Sequence, residues 1–265
     1  MSQADRFLQN PLQFFDLNWE DVVQRIEKFI AAHVPTTAVL GLSGGVDSAL
    51  VAYLTAKSLG SDHFHAILMP SRSSEPIDEE YALKVVEDLG ITYETIDIQP
   101  ILESFDEVDP HATEFALDNL KPRIRMSVLY TYANLHDARV MGTSNKSEWM
   151  VGYFTKFGDA GSDVEPIIGL YKQQVFGLAR YIGVPAEIVE RAPTAGLWSG
   201  QTDEGEMGIT YVKLDQILCG IDLGLDEDDI VAACGVTEDD IHLVQGMIAR
   251  SMHKRIQPPF FTLPR

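Results

Sequence analysis

A short glycine-containing run at residues 43–48, with the sequence Ser-Gly-Gly-Val-Asp-Ser, constrains the fold of this chain more than any other segment. It follows an apolar, β-favouring stretch at 37–42 and opens a helical pattern at 47–59. A glycine turn between a strand and a helix leaves backbone N–H groups unpaired, with the positive end of the helix dipole behind them. Such turns bind anions, so the run predicts a phosphate site. A plain glycine turn with Ser43 as the helix cap is the alternative interpretation.

The chemistry of this run differs from that of kinase-type phosphate loops. It lacks the Gly-Lys-Ser/Thr ending of those loops and carries an acid, Asp47, instead of the lysine. Bound phosphates would repel a neighbouring carboxylate unless a divalent cation lay between them. The run therefore predicts Mg²⁺ as a cofactor.

Strand and helix patterns alternate along the first two thirds of the chain. Strands are predicted at 37–42, 65–69, 92–98 and 139–141, and helices at 19–32, 47–59, 79–89, 122–135 and 171–182. This alternation predicts an α/β fold with a central parallel sheet flanked by helices. Helical pieces at 207–219 and 226–234 add a helical C-terminal part, and we expect one domain over residues 1–265. Ligands of such sheets lie beyond the carboxyl ends of the strands, where the run 43–48 and the turn at 142–143 both fall.

Composition excludes several classes of function. The formal net charge is −20, with 40 acidic against 20 basic residues, which argues against a broad nucleic-acid-binding surface. The acidic excess fits solvated faces, or alternatively an adaptation to a salt-rich cytosol. No apolar stretch approaches the length that spans a bilayer. With Cys219 and Cys234 far apart and no export signal, we expect a cytoplasmic setting.

Further motifs follow the run 43–48 in an order that resembles the NAD synthetase family of the N-type ATP pyrophosphatase superfamily. They occupy residues 142–148, 152–163, 170–172, 193–197, 200–204 and 253–255. The resemblance extends from about residue 19 to the C-terminus. It implies an adenine nucleotide alpha hydrolase-like, Rossmann-like fold. It also implies a ligase that adenylates deamido-NAD⁺ with ATP, releases pyrophosphate, and then uses ammonia to form NAD⁺ and AMP.

The resemblance also implies roles for individual residues. The residues expected to contact ATP are Gly41, Leu42, Ser43, Gly44, Gly45, Val46, Asp47, Ser48, Thr143, Lys172 and Thr194. Asp47 and Glu148 are the implied magnesium ligands, and Asp47, Glu148 and Lys172 are the residues we expect to carry catalysis. Deamido-NAD⁺ is expected to contact Arg123, Lys156, Asp163, His253 and Lys254, with Arg125 a less certain member of the set.

Plainer interpretations of these residues stay open. Glu148 suits any helix N-terminus, Lys172 suits a solvated helix surface, and the glycine-containing loop that holds Lys156 suits a surface turn rather than a substrate lid. Asp163 is a candidate for handling ammonium if it lies near the nicotinate end.

The resemblance also implies an oligomeric state and a nitrogen donor. The family is homodimeric with the dinucleotide site across the interface, and the helix at 49–59, apolar nearly all round, is compatible with burial on both sides. We expect free ammonia as the nitrogen donor, since the chain has no room for a glutaminase domain. Two alternatives remain: a GMP synthetase-like ligase, and a non-catalytic nucleotide sensor, which would release no pyrophosphate.

Overall fold

The computed structural model describes residues 2–106, 113–197 and 200–263 of the chain. Its strands are β1 (Thr37–Gly41), β2 (Phe64–Leu68), β3 (Thr92–Thr95) and β4 (Ala138–Met141). The α-helices that it describes are α1 (Gln3–Gln9), α2 (Trp19–His33), α3 (Val46–Leu59), α4 (Pro76–Leu89), α5 (Gln99–Asp106), α6 (Glu114–Asp118), α7 (Leu120–His136), α8 (Lys146–Val151), α9 (Lys172–Ile182), α10 (Ala186–Val189), α11 (Asp203–Met207), α12 (Tyr211–Asp222), α13 (Glu227–Cys234) and α14 (Glu238–Arg255).

The strands form one parallel sheet in the order β3-β2-β1-β4. From β1 the chain crosses to β2 on one side and later reaches β4 on the other. The carboxyl ends of β1 and β4 therefore flank a topological switch point, where ligands of open α/β sheets bind. The loop after β1 contains Ser43, and the loop after β4 begins with Gly142. Both loops that the sequence singled out border this switch point.

Apolar side chains cover both faces of the sheet. Ala38 and Leu40 of β1 pack with α2, α3 and α9 on one face. Val39 of β1 points to the other face, where Val140 and residues of α7 surround it. Strands β1 and β2 are buried on both faces and have near-continuous apolar sequences, whereas β3 at the edge of the sheet is polar and exposed. The predicted α/β fold class with a parallel central sheet is confirmed.

Helix α3 is buried by the chain itself. Its residues Leu50, Val51 and Leu54 are fully buried, and the helix packs against α2, α4 and α9. Its apolar character therefore follows from packing within one chain. It gives no independent support for a homodimer.

The helical C-terminal part has its own apolar cluster. Phe7 of α1 packs there with Leu214 and Ile217 of α12 and with Ile241 of α14. Within the residues that the structure describes, no helix is both long and apolar enough to cross a membrane.

The C-terminal elements differ in detail from the sequence prediction. The helix predicted at 207–219 is wrong at its start: α11 ends at Met207, Gly208 follows with φ of +73°, and α12 begins only at Tyr211, with Thr210 as its N-cap. No helix was predicted at 238–255, where α14 lies. Acidic residues in its first turn and basic residues in its last turn make the segment polar on average. They conceal the apolar stripe, which includes Ile241 and Val244, in the sequence pattern.

Candidate functional site

The loop between β1 and α3 is a hydrogen-bonded glycine turn. Gly44 has φ of +79°, and a Cβ atom there would overlap the backbone carbonyl of Asp78. The hydroxyl of Ser48 lies 3.0 Å from that of Ser43 and donates to the carbonyl of Gly45 at 3.0 Å. The N-cap of α3 is Gly45, not Ser43, and it has no side chain with which to cap the first N–H groups. The open start of this long, buried helix suits an anion.

Three side chains from distant parts of the sequence meet beside this loop. The Nζ atom of Lys172 donates to Oδ2 of Asp47 at 2.6 Å and to Oε1 of Glu148 at 2.9 Å. Asp47 lies in the first turn of α3, Glu148 in the first turn of α8, and Lys172 is the first residue of α9. Lys172 is only 1% exposed, so its expected alternative as a solvated surface lysine is wrong. The fold thus brings the starts of α3, α8 and α9 to one point.

Polar side chains around this cluster hold the carboxylates in place. Buried Asn145, the N-cap of α8, donates from Nδ2 to Oδ1 of Asp47 at 3.0 Å and accepts the backbone N–H of Glu148 at 3.0 Å. The hydroxyl of Tyr211 lies 3.0 Å from Oε1 of Glu148 and 3.0 Å from Oδ2 of Asp203. Asp203 is also buried. Two carboxylates therefore contact the ammonium group of Lys172, and a third, that of Asp203, joins the cluster through Tyr211.

Burial and charge act on the pKa values of this cluster in opposite directions. Burial, reinforced by the nearby carboxylates of Asp47 and Asp203, raises the pKa of Glu148 to about 7, although Lys172 opposes the shift. Burial also raises the pKa of Asp203. Burial alone would lower the pKa of Lys172, but the surrounding carboxylates raise it above its ordinary value, so the lysine stays charged. The cluster has more acids than one lysine can neutralise.

The carboxylates of Asp47 and Glu148 fit a Mg²⁺ ion that is also bound by the phosphates of a nucleotide. Asp47 and Glu148 offer hard carboxylate oxygens, and both reach the same ammonium, so they lie close enough to share a cation. Within the part of the chain that the structure describes, no group of three or more His, Cys, Asp or Glu side chains is arranged to hold a metal ion. A magnesium ion at this position would complete its shell with phosphate oxygens and water.

A cavity of about 650 Å³ opens above the cluster. This volume is within the usual range for small-molecule sites. The residues expected to contact ATP that line it are Gly41, Leu42, Ser43, Gly45, Val46, Asp47, Ser48, Thr143, Lys172 and Thr194. Gly44 faces Asp78 instead, and its part is to let the loop turn. The fold thus gathers the expected ATP residues into one space.

The residues expected to contact deamido-NAD⁺ are divided between the cavity and the surface. Lys254 lines the cavity, where its Nζ atom donates to the carbonyls of Gly152 at 2.8 Å and Phe154 at 2.7 Å. Arg125 also lines it and donates to the carbonyl of Met69 at 3.1 Å. Burial lowers the pKa of both basic groups.

The other four residues of that set lie outside the cavity. Exposed Arg123 donates to the carbonyl of Lys156 at 3.3 Å, and the Nζ atom of Lys156 donates to the carbonyl of His253 at 2.6 Å. These three form one continuous surface patch. Asp163 is separate: its carboxylate accepts the N–H of Val140 at 2.9 Å and the hydroxyl of Tyr130 at 3.2 Å.

Sequence reasoning missed Asn145, Asp203 and Tyr211 as members of the cluster. Asn145 carries a local signal, since an Asn followed by Glu148 three positions later is typical of a helix start. Asp203 lies in the motif at 200–204, to which no role was given, and Tyr211 carries no local signal, because the start of α12 after the break at Gly208 was not predicted.

Comparison with known proteins gives consistent matches over nearly the whole chain. The profile of the family described as NAD synthase matches residues 18–258. The chain is 49% identical over 248 residues to the NH(3)-dependent NAD(+) synthetase of Archaeoglobus fulgidus, covering 92% of this chain and 97% of that protein. It is 44% identical over 244 residues to the NH(3)-dependent NAD(+) synthetase of Pyrococcus furiosus, covering 91% and 94%.

Solved structures agree with the sequence matches. The NMN synthetase from Francisella tularensis superimposes with a TM-score of 0.84 at 35% identity, covering 94% of this chain and all (100%) of that one. The NH3-dependent NAD synthetase from Campylobacter jejuni, in complex with the nitrate ion, gives a TM-score of 0.79 at 30% identity, covering 93% and 100%. The family match over residues 18–258 includes every residue of the charged cluster.

Proposed function

The chain belongs to the NAD synthase family and is a ligase that makes NAD⁺ with ammonia, and from this premise we propose how its residues carry out the reaction. The nicotinate carboxylate of deamido-NAD⁺ attacks the α-phosphorus of ATP, forming an acyl adenylate as the bond to pyrophosphate breaks. Ammonia then attacks the activated carbonyl, AMP leaves, and a proton is lost to give the amide. Adenylation is needed because a free carboxylate has no good leaving group.

The phosphates of ATP bind at the glycine turn and the start of α3. Backbone N–H groups around Gly45 and the helix dipole attract the phosphate oxygens, and Ser43 and Ser48 keep the turn in shape. Phosphoryl transfer of this kind depends on positioning and on neutralising charge, which these fixed dipoles supply.

The observation that carries the proposal is Lys172, held between Asp47 and Glu148 at the edge of the cavity. With ATP bound, its ammonium group lies within reach of the phosphates and stabilises the negative charge that develops on pyrophosphate. Asp47 and Glu148 would hold Mg²⁺, which supplies charge neutralisation at the phosphate oxygens. Thr143 and Thr194, also on the cavity wall, would position the nucleotide.

The acceptor dinucleotide extends from Lys254 in the cavity towards the surface patch of Arg123, Lys156 and His253. These basic groups suit its phosphates. Because the patch is exposed in one chain, we propose that a second copy covers it and that the active protein is a homodimer. Asp163 stays a candidate for handling ammonium.

A reconstituted reaction tests this function. Purified protein is mixed with ATP, Mg²⁺, ammonium and deamido-NAD⁺, and both NAD⁺ and pyrophosphate are measured. We expect equal amounts of the two, pyrophosphate release only when deamido-NAD⁺ is present, and little turnover when glutamine replaces ammonium. A sensor would release no pyrophosphate, and that result would overturn the proposal.

A mononucleotide is the second candidate acceptor, because the Francisella tularensis structure named an NMN synthetase superimposes well on this chain. Amidation of the corresponding mononucleotide acid needs the same adenylation cluster but fewer contacts beyond the cavity. Measuring kcat/KM for the mononucleotide and dinucleotide acids separates the two. We expect the dinucleotide to be preferred.

A further inference from the structure

Helix α12 presents two buried polar side chains to the starts of α8 and α9. Tyr211 and Asp215 are separated by four residues and so lie on the same face of α12. Tyr211 is 3% exposed and Asp215 is 0% exposed. Buried polar groups are costly unless they are paired, so their partners show what this face does.

Tyr211 contacts the carboxylate that the proposed function assigns to the metal. Its hydroxyl lies 3.0 Å from Oε1 of Glu148, the same oxygen that accepts from Lys172 at 2.9 Å. In the proposed function, the ammonium group of Lys172 stabilises the charge on pyrophosphate, and when it turns to the phosphate oxygens Glu148 loses this hydrogen bond. The contact between Tyr211 and Glu148, by contrast, does not change when the nucleotide binds in this scheme. A glutamate side chain has several rotatable bonds, and a fixed hydrogen-bond partner limits the orientations that it adopts.

Asp215 fastens the same helix to both neighbouring helix starts. Its carboxylate accepts the hydroxyl of Ser147, which precedes Glu148, and the backbone N–H of Gln173 at 2.8 Å. The hydroxyl of Ser147 also accepts the backbone N–H of Lys172 at 2.9 Å. Asp215 therefore joins the first turns of α8 and α9 to α12. The hydrogen bonds of Asp215 therefore fix α12, which carries Tyr211, relative to the helix starts that carry Glu148 and Lys172.

We propose that Tyr211 is a positioning residue of the adenylation site, which keeps the Glu148 carboxylate aimed at the nucleotide-bound cation when Lys172 leaves it, and that Asp215 anchors Tyr211 for this role. The proposal rests on the assignment of Glu148 and Lys172 in the proposed function. It adds a residue that the motifs in the sequence do not mark.

The test is Tyr211→Phe, which removes only the hydroxyl group. Its matched control is Tyr171→Phe: Tyr171 is 5% exposed, and its hydroxyl also donates to a carboxylate, Asp222, at 2.6 Å. The control therefore loses a buried hydrogen bond to a carboxylate without touching Glu148, whereas Tyr211→Phe also loses the contact of its hydroxyl with Asp203. For each variant we would measure the Tm, kcat, the Mg²⁺ concentration for half-maximal rate, and Mn²⁺ binding by electron paramagnetic resonance with α,β-methylene-ATP present.

We expect Tyr211→Phe to weaken Mn²⁺ binding about fivefold to tenfold and to lower kcat about tenfold at moderate Mg²⁺, with partial recovery at high Mg²⁺. Tyr171→Phe should stay within about twofold of the unchanged protein in both measurements, while its Tm falls by a similar amount. If the two variants give the same Mn²⁺ affinity and the same kcat, Tyr211 is only structural and the proposal is overturned.

Asp215→Asn provides a second test that leaves Tyr211 and Glu148 intact. The amide retains one acceptor oxygen for two donors, so we expect Mn²⁺ binding to weaken in the same direction by about threefold. Unchanged Mn²⁺ binding would contradict the anchoring role, and should Tyr211→Phe fail to fold, this result alone decides the proposal. Glu148→Gln separates the premise from the inference: full activity in that variant would overturn the assignment of Glu148 itself.

Discussion

The ATP half and the acceptor half of the proposed site are built differently. Asp47, Glu148 and Lys172 converge at 2.6 to 2.9 Å in a buried cluster formed by one chain. Arg123, Lys156 and His253 instead lie on the surface, where Arg123 and Lys156 donate mainly to backbone carbonyls. The charged cluster of the proposed ATP half is therefore complete within one chain. For the acceptor half, we propose that a second copy must cover the exposed patch.

Lys172→Met should have the largest effect on turnover, because it removes the ammonium group at the centre of the ATP half. We expect kcat to fall by about a thousandfold, since the charge that develops on pyrophosphate loses its buried partner. The variant also leaves two partly buried carboxylates unpaired and should lower the free energy of unfolding by about 3 kcal/mol or more. Pyrophosphate release and chemical denaturation measure the two effects.

Lys57→Met is the control, since Lys57 pairs with Glu27 at 3.0 Å but is 57% exposed. It should change neither quantity appreciably. A Lys172→Met protein with near-normal turnover would mean that the buried cluster is structural.

Arg123→Glu should affect the acceptor half alone. We expect the KM for deamido-NAD⁺ to rise by about ten- to a hundredfold, because a phosphate partner is replaced by a like charge, while the KM for ATP stays within about twofold. Steady-state kinetics with each substrate varied in turn measures the difference. An equal rise in both KM values would show that the two halves are not separable.

Mixing two variants tests whether the acceptor site is shared, provided that deamido-NAD⁺ is kept well below the raised KM of Arg123→Glu, so that each variant alone has little activity. If the acceptor site is shared between subunits, co-refolded Lys172→Met and Arg123→Glu chains should recover up to about a quarter of the normal activity, since a mixed dimer retains one intact site. No recovery would place the complete site within each chain.

The raised pKa of Glu148 predicts that the Mg²⁺ requirement depends on pH, whereas the binding of deamido-NAD⁺ does not. Burial raises the pKa of Glu148 to about 7, and the carboxyl must be ionised to bind a cation. As the pH falls below about 7, we expect the Mg²⁺ concentration for half-maximal rate to rise by up to about tenfold per unit. Above that pH it should level off, whereas Glu148→Gln should remove this dependence. The KM for deamido-NAD⁺ should not follow the same curve.

Gly44→Ala should have the smallest effect of this series on the kinetics, although it should destabilise the fold. The alanine would need φ near +79° and would overlap the backbone carbonyl of Asp78, so the turn must shift. We expect the free energy of unfolding to fall by about 2 to 5 kcal/mol, because the backbone clash adds to the cost of the positive φ, and the KM for ATP to rise severalfold. At Gly45, a Cβ would meet only the hydroxyl of Ser43 at 3.5 Å, so Gly45→Ala should retain stability. Thermal denaturation of the two variants checks the contrast.

The sequence predicts the sheet, and the meeting of Asp47 with Glu148 at its edge, for a physical reason. Asp47 directly follows a strand and a turn, and Glu148 follows the turn at 142–143, so the topology of a parallel sheet brings both to one edge. Lys172 could be placed there only through the family resemblance, because its position depends on how α9 packs after the last strand.

The rest could not be predicted because it depends on contacts between distant elements. Tyr211 contacts Glu148 and Asp203 because α12 begins after the break at Gly208, and Asp215 contacts the first turn of α9 because the two helices pack together. For Arg123 and Lys156, the sequence shows two basic side chains. It does not show the surface of the second copy that, in our proposal, covers them.

The ammonium group of Lys172 gives this protein a counter-ion of its own before any ligand arrives. Two acids gathered near the protein interior would otherwise repel each other and oppose folding. In the proposed function, nucleotide binding would be an exchange of ionic partners: the lysine would pass from carboxylate to phosphate oxygens, and Mg²⁺ would take its place beside Asp47 and Glu148. The charges would then be assembled before ATP arrives, so little rearrangement would oppose its binding.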